Sequence, residues 1–329
     1  QPMSKIKKDK RTEVNKEKEK YRLLNWKEYN QSLVNRGNIT LYFDEAVLDQ
    51  WYDDGPAQRG AQYEYSDLCI ETLLMLKVVF KLGYRQTEGF AKGLLKLMGQ
   101  DEFRVPSYSQ IQRRSQSIEI PGYRIPKSSL ITLVIDSTGL KIYGEGEWKV
   151  RKHGVSKRRT WRKLHLGCDP HTGFIHCHVL TDNATDDASQ LEPMLDQVEE
   201  QVDEVCVDGA YDHQDCWDFL IENNIEPIIP PRSNAMKWYE QQPGDLPDYP
   251  RNVAIDQIQQ MGRKQWKRYR GYHQRSLAET AMYRFKTIHG SSLYSRKMET
   301  QKAETRIKIK ALNMMTALGM PDSIKRKTA

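Results

Sequence analysis

Between residues 66 and 118 apolar positions recur at helical spacing, and the spacing predicts three helices. The first spans about 66–82 and carries the longest apolar stretch, "LCIETLLMLKVVFKLG". Glu71, Lys77 and Lys81 interrupt it, so it reads as a buried helix rather than a membrane span. A second covers about 86–98. A third starts in "RVPSYSQIQRRSQSI", where Pro106 suits an initiation site and Ser107 with Gln110 fits a capping box. From about residue 128 the texture changes. "LITLVID" (130–136), "RKLHLGCD" and "FIHCHVLTD" read as strands, the last two joined by a turn at "PHTG". "DDASQLEPMLDQVEEQ" reads as an amphipathic helix, "EVCVDG" as a strand, "HQDCWDFLIENN" as a helix and "IEPIIP" as a strand. The order β-β-β-α-β-α-β predicts a mixed α/β sheet with the first strand central and the fourth beside it. An insertion at about 232–270 follows, then a further helix over "GYHQRSLAETAMYRFK" (271–286).

That last helix is not a core stripe. Tyr272, Arg275, Glu279 and Lys286 recur at gaps of three, four and seven, which in a helix places them within an arc of roughly 60°. A second reading stays open: Ser276 and Glu279 fit a capping box, in which case Tyr272 and Arg275 precede the helix.

Charge adds a partner. The 329 residues include 51 Lys and Arg against 44 Asp and Glu, a net +7. The basic residues cluster at 5–20, 151–163 and 263–275, which suggests nucleic acid ahead of an acidic membrane, against the plainer reading of solvated surface. Residues 1–20 read as a flexible basic tail and 21–126 as a helical, helix-turn-helix-like DNA-binding region. In its third helix Gln110, Gln112, Arg113, Arg114 and Gln116 are the side-chain types that pair with base edges. The gap before that helix is longer than the usual tight turn. In "WKVRKHGVSKRRTWRK" (148–163), Lys152, His153, Lys157, Arg158 and Arg159 suit phosphates. Trp148 and Trp161 suit either base stacking or the core. "GRKQWKRYRGYHQR" (262–275), with Trp266, invites the same reading.

The five cysteines form no CxxC pair and suggest buried thiols in a reducing compartment. The highly charged start predicts a chain with no secretory leader and no membrane association. His165, Cys168, His171, His176, Cys177 and His178 crowd one segment, but no paired spacing fits a zinc site.

Two strands run into an aspartate, Asp136 after "LVI" and Asp208 after "VCV". On neighbouring strands their carboxylates would repel unless a divalent cation sat between them. Mg²⁺ takes a few carboxylate oxygens and keeps water and phosphate as its other ligands. Glu279 would complete a site for two ions about 4 Å apart acting on a phosphodiester. Each aspartate alone reads equally well as a turn opener. Asp182, Asp186 and Asp187 read as acids at a helix start.

Y-(2)-R-(3)-E-(6)-K, matched by Tyr272, Arg275, Glu279 and Lys286, resembles the signature of DDE transposases from bacterial insertion sequences. "VIDSTGLKIYGEGEWK" and "VCVDGAYD" resemble the blocks around the two aspartates in the IS-five-like family. The likeness covers roughly 128 to 315. It implies an RNase H-like catalytic domain over about 127–320, a catalytic and metal-binding triad of Asp136, Asp208 and Glu279, two Mg²⁺ or Mn²⁺ ions per site, and cleavage and joining of DNA at the ends of a mobile element. Tyr272, Arg275 and Lys286 would hold DNA. The expected partners are the terminal inverted repeats and target DNA, the expected assembly at least a homodimer on DNA, and the expected location the nucleoid in a bacterial cytoplasm. The alternatives are an RNase H-like nuclease that cleaves without joining and a non-enzymatic DNA-binding regulator.

Overall fold

The computed structural model describes residues 21–56, 60, 62–128, 130–142, 161–238 and 249–325. The basic tail 1–20 and the loop residues Trp148, Lys152, His153, Lys157, Arg158 and Arg159 lie outside the described residues, as do 239–248 of the expected insertion. A short strand β1 (Tyr21–Leu23) precedes α1 (Trp26–Asn35), α2 (Asp67–Val79), α3 (Tyr84–Leu97) and α4 (Tyr108–Arg114). The sheet region holds β2 (Ile131–Ile142), β3 (Trp161–Cys168), β4 (Ile175–Asp182), α5 (Leu191–Leu195), β5 (Val202–Cys206), α6 (Gln214–Glu222) and β6 (Glu226–Ile228). Then come α7 (Pro250–Met261), α8 (Arg263–Tyr269), α9 (Ser276–His289), β7 (Ser292–Leu293), α10 (Met298–Ala317) and β8 (Ser323–Lys325).

α2 is buried along almost its whole length, which explains its all-round apolar character. Its interrupting charges have partners: Glu71 pairs with Lys310 at 2.5 Å, and Lys77 lies over the Tyr84 ring. The capping box at α4 is present, with Gln110 N–H donating to Ser107 Oγ and Ser107 N–H to Gln110 Oε1. α2, α3 and α4 share one core with Ala303, Ile307, Ala311 and Met315 of α10. Ile309 and Leu312 of the same helix pack against the sheet, so α10 belongs to both regions.

The sheet runs β4-β3-β2-β5-β6. β2, β3 and β4 are antiparallel; β5 and β6 are parallel to β2. This mixed sheet, flanked by helices on both faces, is the RNase H-like arrangement. β2 is longer than expected. Rather than ending at Asp136 it continues to Ile142, because β3 pairs with it from Val134 to Lys141. Its other edge pairs with β5 only over Ile131–Val134 and with β7 only at Lys141 and Ile142. Asp136 and Thr138 lie in the gap between those two pairings.

The helix expected over 186–201 shrinks to α5 behind a 3₁₀ turn at Ala188–Gln190. Only Leu191, Met194 and Leu195 supply an apolar face there, enough for one turn. The described part of the insertion folds as α7 and α8. It is anchored by Arg251, whose guanidinium grips both Asp212 oxygens, at 2.6 and 3.1 Å. Trp266, expected near DNA, is 1% exposed and donates to Gln257. Amphipathic α8 turns this indole inward and its basic residues outward.

Candidate active site

α9 buries Ala278, Ala281, Met282, Phe285 and His289, a stripe at three- and four-residue spacing, the first four against Val134, Leu140, Leu164 and Leu166. Glu279 and Lys286 each follow a member of that stripe and therefore flank it. The stretch from 271 is not one α-helix. Gly271 takes φ +65°, a left-handed conformation that glycine adopts at little cost, and Tyr272–Arg275 form a 3₁₀ turn before α9. Tyr272 and Arg275 thus precede the helix, as the alternative reading had it, but without its capping box: Ser276 Oγ donates to the His273 carbonyl, and Glu279 accepts from Arg275.

Asp136 and Asp208 occupy equivalent places on neighbouring strands. Val134 pairs with Cys206, and each aspartate follows two residues later on the same face. Asp208 Oδ1 caps the turn at Gly209–Tyr211 by accepting from Ala210 N–H at 2.8 Å. Asp136 Oδ1 accepts from Ser137 N–H at 2.8 Å. Arg275 then joins the sheet to α9: Nη1 is 2.6 Å from Asp136 Oδ2, and Nη2 is 3.1 Å from Glu279 Oε1. Two residues further along β2, Thr138 Oγ1 accepts from Lys286 Nζ at 2.6 Å. The expected row of side chains is thus assembled around β2.

The electrostatics follow from this placement. Burial pushes the Asp136 carboxyl up; the Ser137 N–H and Arg275 oppose this, and the Asp208 charge adds to it. Arg275 is held above its ordinary range: burial works against its charge, but Asp136, Tyr272, Asp208 and Glu279 outweigh it. Lys286 is lowered by burial. Tyr272 is half-buried beneath the Lys267 ammonium, 4.5 Å from its ring centroid, and burial pushes its phenol up to about 12.

The donor set is hard carboxylate oxygen, which suits Mg²⁺ or Mn²⁺. Asp136 and Asp208 are close enough for each to feel the other, and Glu279, its side chain 62% exposed, is free to turn. As placed, no three His, Cys, Asp or Glu side chains among the described residues gather closely enough to hold an ion. Arg275 is the cation balancing Asp136 and Glu279. The set fits a divalent ion once that guanidinium moves.

A second group of polar side chains lies on the opposite face of β2. Asp187 accepts from Ser137 Oγ at 3.0 Å and lies 3.0 Å from Lys163 Nζ and 3.5 Å from His165 Nδ1. Its carboxylate makes no cap, and Asp182 ends β4 and accepts from Ala184 and Thr185 in a turn ahead of the helix, so the helix-start reading holds for neither. The buried Tyr211 hydroxyl has no hydrogen-bond partner among the described residues and feels Asp187, Asp208 and Asp136 together. Thr138 and Tyr211 were missed by sequence reasoning, and Asp187 was set aside as a helix-start acid. "VIDST" and "VDGAY" contain two of them, but nothing local marks Asp187.

The remaining expected DNA contacts separate. Arg113 is exposed. Arg114 is committed inside the protein, donating to the Tyr65 carbonyl and to Asp67 while stacking on Tyr63, because the start of α2 supplies an acceptor that the α4 guanidinium reaches. Trp161 is half-buried with its ring against Gly139, where an added Cβ would stand 3.1 Å from it.

The fold and the two strand-borne aspartates define the class: a nucleic-acid-processing enzyme with an RNase H-like core. Residues 127–314 match the transposase DDE domain family, and a second model of a transposase DDE domain matches residues 34–145. The first match covers more than half of the chain, so the protein belongs to the DDE transposases, metal-dependent enzymes that act on DNA. Among solved structures, the chain is similar to a piggyBac transposase synaptic complex with hairpin DNA, at 13% identity and a TM-score of 0.41, over 85% of this chain and 75% of that one. It is also similar to the Drosophila P element transposase strand transfer complex, at 13% identity and a TM-score of 0.30, over 61% and 47% of the two chains. Among the described residues no helix is long and apolar enough to cross a membrane.

Proposed function

We propose that Asp136, Asp208 and Glu279 are the catalytic acids of an insertion-sequence transposase of the IS-five-like group, acting at the ends of its own element. The observation that carries this reading is Arg275 joining Asp136 to Glu279 beside Asp208. Residues far apart in the chain meet at one break in the pairing of β2. The three carboxylates would hold two Mg²⁺ or Mn²⁺ ions. When bound, such ions activate an attacking hydroxyl and neutralise charge at the scissile phosphate.

Arg275 leaves the acids and takes the phosphate beside the scissile one, where its fork matches two oxygens. Tyr272, three residues before it, holds the same phosphate through its hydroxyl. Lys286, poised at Thr138, holds the strand beyond. Asp136 and Asp208, anchored by Ser137 and Ala210 N–H groups, keep their oxygens fixed while substrate binds. In the first reaction a water oxygen bonds to phosphorus, the bond to the 3′-oxygen breaks, and that oxygen leaves as a hydroxyl. In the second, this 3′-hydroxyl bonds to a target phosphorus and the target's own 3′-oxygen departs.

The helical region 21–126, with exposed Arg113, recognises the terminal inverted repeats. A homodimer pairs the two ends, one site on each, at the nucleoid of a bacterial host. Incubation with DNA carrying the element's ends tests the reading. Nicking at the element boundary with Mg²⁺ and none with EDTA is expected, followed by joined product. Hydrolysis without joining would make the protein a nuclease; unaltered biological activity in Asp136→Ala would make it a regulator.

A further inference from the structure

Side chains alternate along a strand, so Ser137 turns to the face of β2 opposite Asp136. There Ser137 Oγ donates to Asp187 Oδ2 at 3.0 Å. In front, the Ser137 N–H donates to Asp136 Oδ1 at 2.8 Å. One residue thus links a carboxylate on each face of the strand.

That link falls where β2 is least supported. β3 pairs with one edge of β2 from Val134 to Lys141, but on the other edge β5 stops at Val134 and β7 begins at Lys141. Across this gap the backbone that carries Asp136 has no second ladder among the described residues. Two side-chain contacts brace it instead, Lys286 on Thr138 and Asp187 on Ser137. Asp187 is in turn held from β3. Lys163 Nζ lies 3.0 Å from its Oδ1 and donates to the Thr185 carbonyl at 2.8 Å, and His165 Nδ1 lies 3.5 Å from the same oxygen. Burial, with Lys163 adding to it against Asp187, pushes the imidazole down to about 4, so it is uncharged at neutral pH and Lys163 carries the balance.

An ion pair kept for stability alone would satisfy its surroundings, because an unpartnered polar atom in the interior is costly. Here Asp187 Oδ1, His165 Nδ1 and the Tyr211 hydroxyl all lack a hydrogen bond among the described residues. Tyr211 closes the turn that Asp208 caps, and Asp187 is the strongest charge acting on it. The cluster therefore sits behind both strand-borne aspartates at a cost to its own hydrogen bonding, the trade that functional sites make.

We propose that Asp187 is a positioning residue for the carboxylate of Asp136, acting through Ser137. It fixes the β2 backbone across the gap, so that the Ser137 N–H keeps Asp136 Oδ1 in place and Oδ2, now on Arg275, is left for the ion. Outer contacts of this kind orient a metal ligand, and losing one costs about tenfold to a hundredfold in metal affinity. This role rests on the reading of Asp136 as a metal ligand.

Mn²⁺ titration of the full chain without DNA, followed by electron paramagnetic resonance, tests the role with no strand cleavage. Ser137→Ala removes the link without changing charge and should weaken Mn²⁺ binding about tenfold. Ser137→Thr keeps the hydroxyl in a residue that suits a strand and should restore the affinity. In an Asp187→Ala background, Ser137→Ala should change the affinity little further, because the two residues act as one unit. Wild-type affinity in Ser137→Ala, an equal loss in Ser137→Thr, or additive losses in the double variant would overturn the proposal. Asp136→Asn separates the two readings. Mn²⁺ binding that persists in Asp136→Asn would overturn the catalytic reading and this role with it. Binding lost in Asp136→Asn but intact in Ser137→Ala would overturn this role alone.

Discussion

Asp136 is the residue at which fold and chemistry pull in opposite directions. Its side chain is 18% exposed, and burial with the nearby Asp208 raises its carboxyl despite Ser137 and Arg275. A raised folded-state value means that the native protein binds more protons than the unfolded chain in the window above about 4. Stability attributable to this group therefore falls as pH rises through that window. Asp136→Asn should gain stability relative to wild type between acid and neutral pH, measured as the difference in denaturation midpoint across a pH series. The same substitution should lower boundary nicking by about 10³-fold or more and abolish any rise in Tm on adding Mg²⁺. Arg275 makes a second case. It neutralises the acids that a divalent ion also needs. Arg275→Ala is expected to bind Mn²⁺ roughly tenfold more tightly without DNA, by electron paramagnetic resonance titration, yet to cleave DNA about 10²-fold more slowly. Equal Mn²⁺ affinity in both proteins would show that the guanidinium does not compete with the ion.

Among the elements, α8 and α9 show what periodicity conveys and what it hides. The spacing of Tyr272, Arg275, Glu279 and Lys286 was legible, and all four face the same region around β2. The break at Arg275 was legible only as the alternative in which Tyr272 and Arg275 precede the helix, since a 3₁₀ turn and the first turn of an α-helix share nearly the same side-chain pattern. In α8 the basic residues drew attention to the surface, but Trp266 points the other way, into the core with Trp217 and Leu220. Trp266→Ala should cost about 3–5 kcal/mol of stability, read from denaturant unfolding. A surface stacking residue would cost almost nothing. Arg114 gives the same lesson: its neighbour Arg113 is exposed, while Arg114 is spent on Asp67 and Tyr65. Residue type does not distinguish adjacent arginines; the position of α2 does.

For the molecule as a whole, α10 determines how its parts depend on one another. The helical region takes Ala303, Ile307, Ala311 and Met315 into its core, although they lie almost two hundred residues later in the chain. An isolated fragment of residues 21–126 lacks those side chains. It should show no cooperative thermal transition and should be cleaved rapidly by protease, whereas the full chain resists. A stable fragment would make α10 a mere bystander to that core. The amino-acid sequence by itself determined the order of strands and helices from β2 to β6, the central place of β2, the placing of Asp136 and Asp208 on neighbouring strands and the spacing of Tyr272, Arg275, Glu279 and Lys286. These rest on local periodicity and on the few topologies that a β-β-β-α-β-α-β order permits. Only the tertiary structure decided that Arg275 bridges two of the acids, that Asp187 and Tyr211 approach them from behind, and that α10 joins both regions. Such contacts depend on side-chain direction and on segments brought together by long-range packing, and no short window of sequence encodes either.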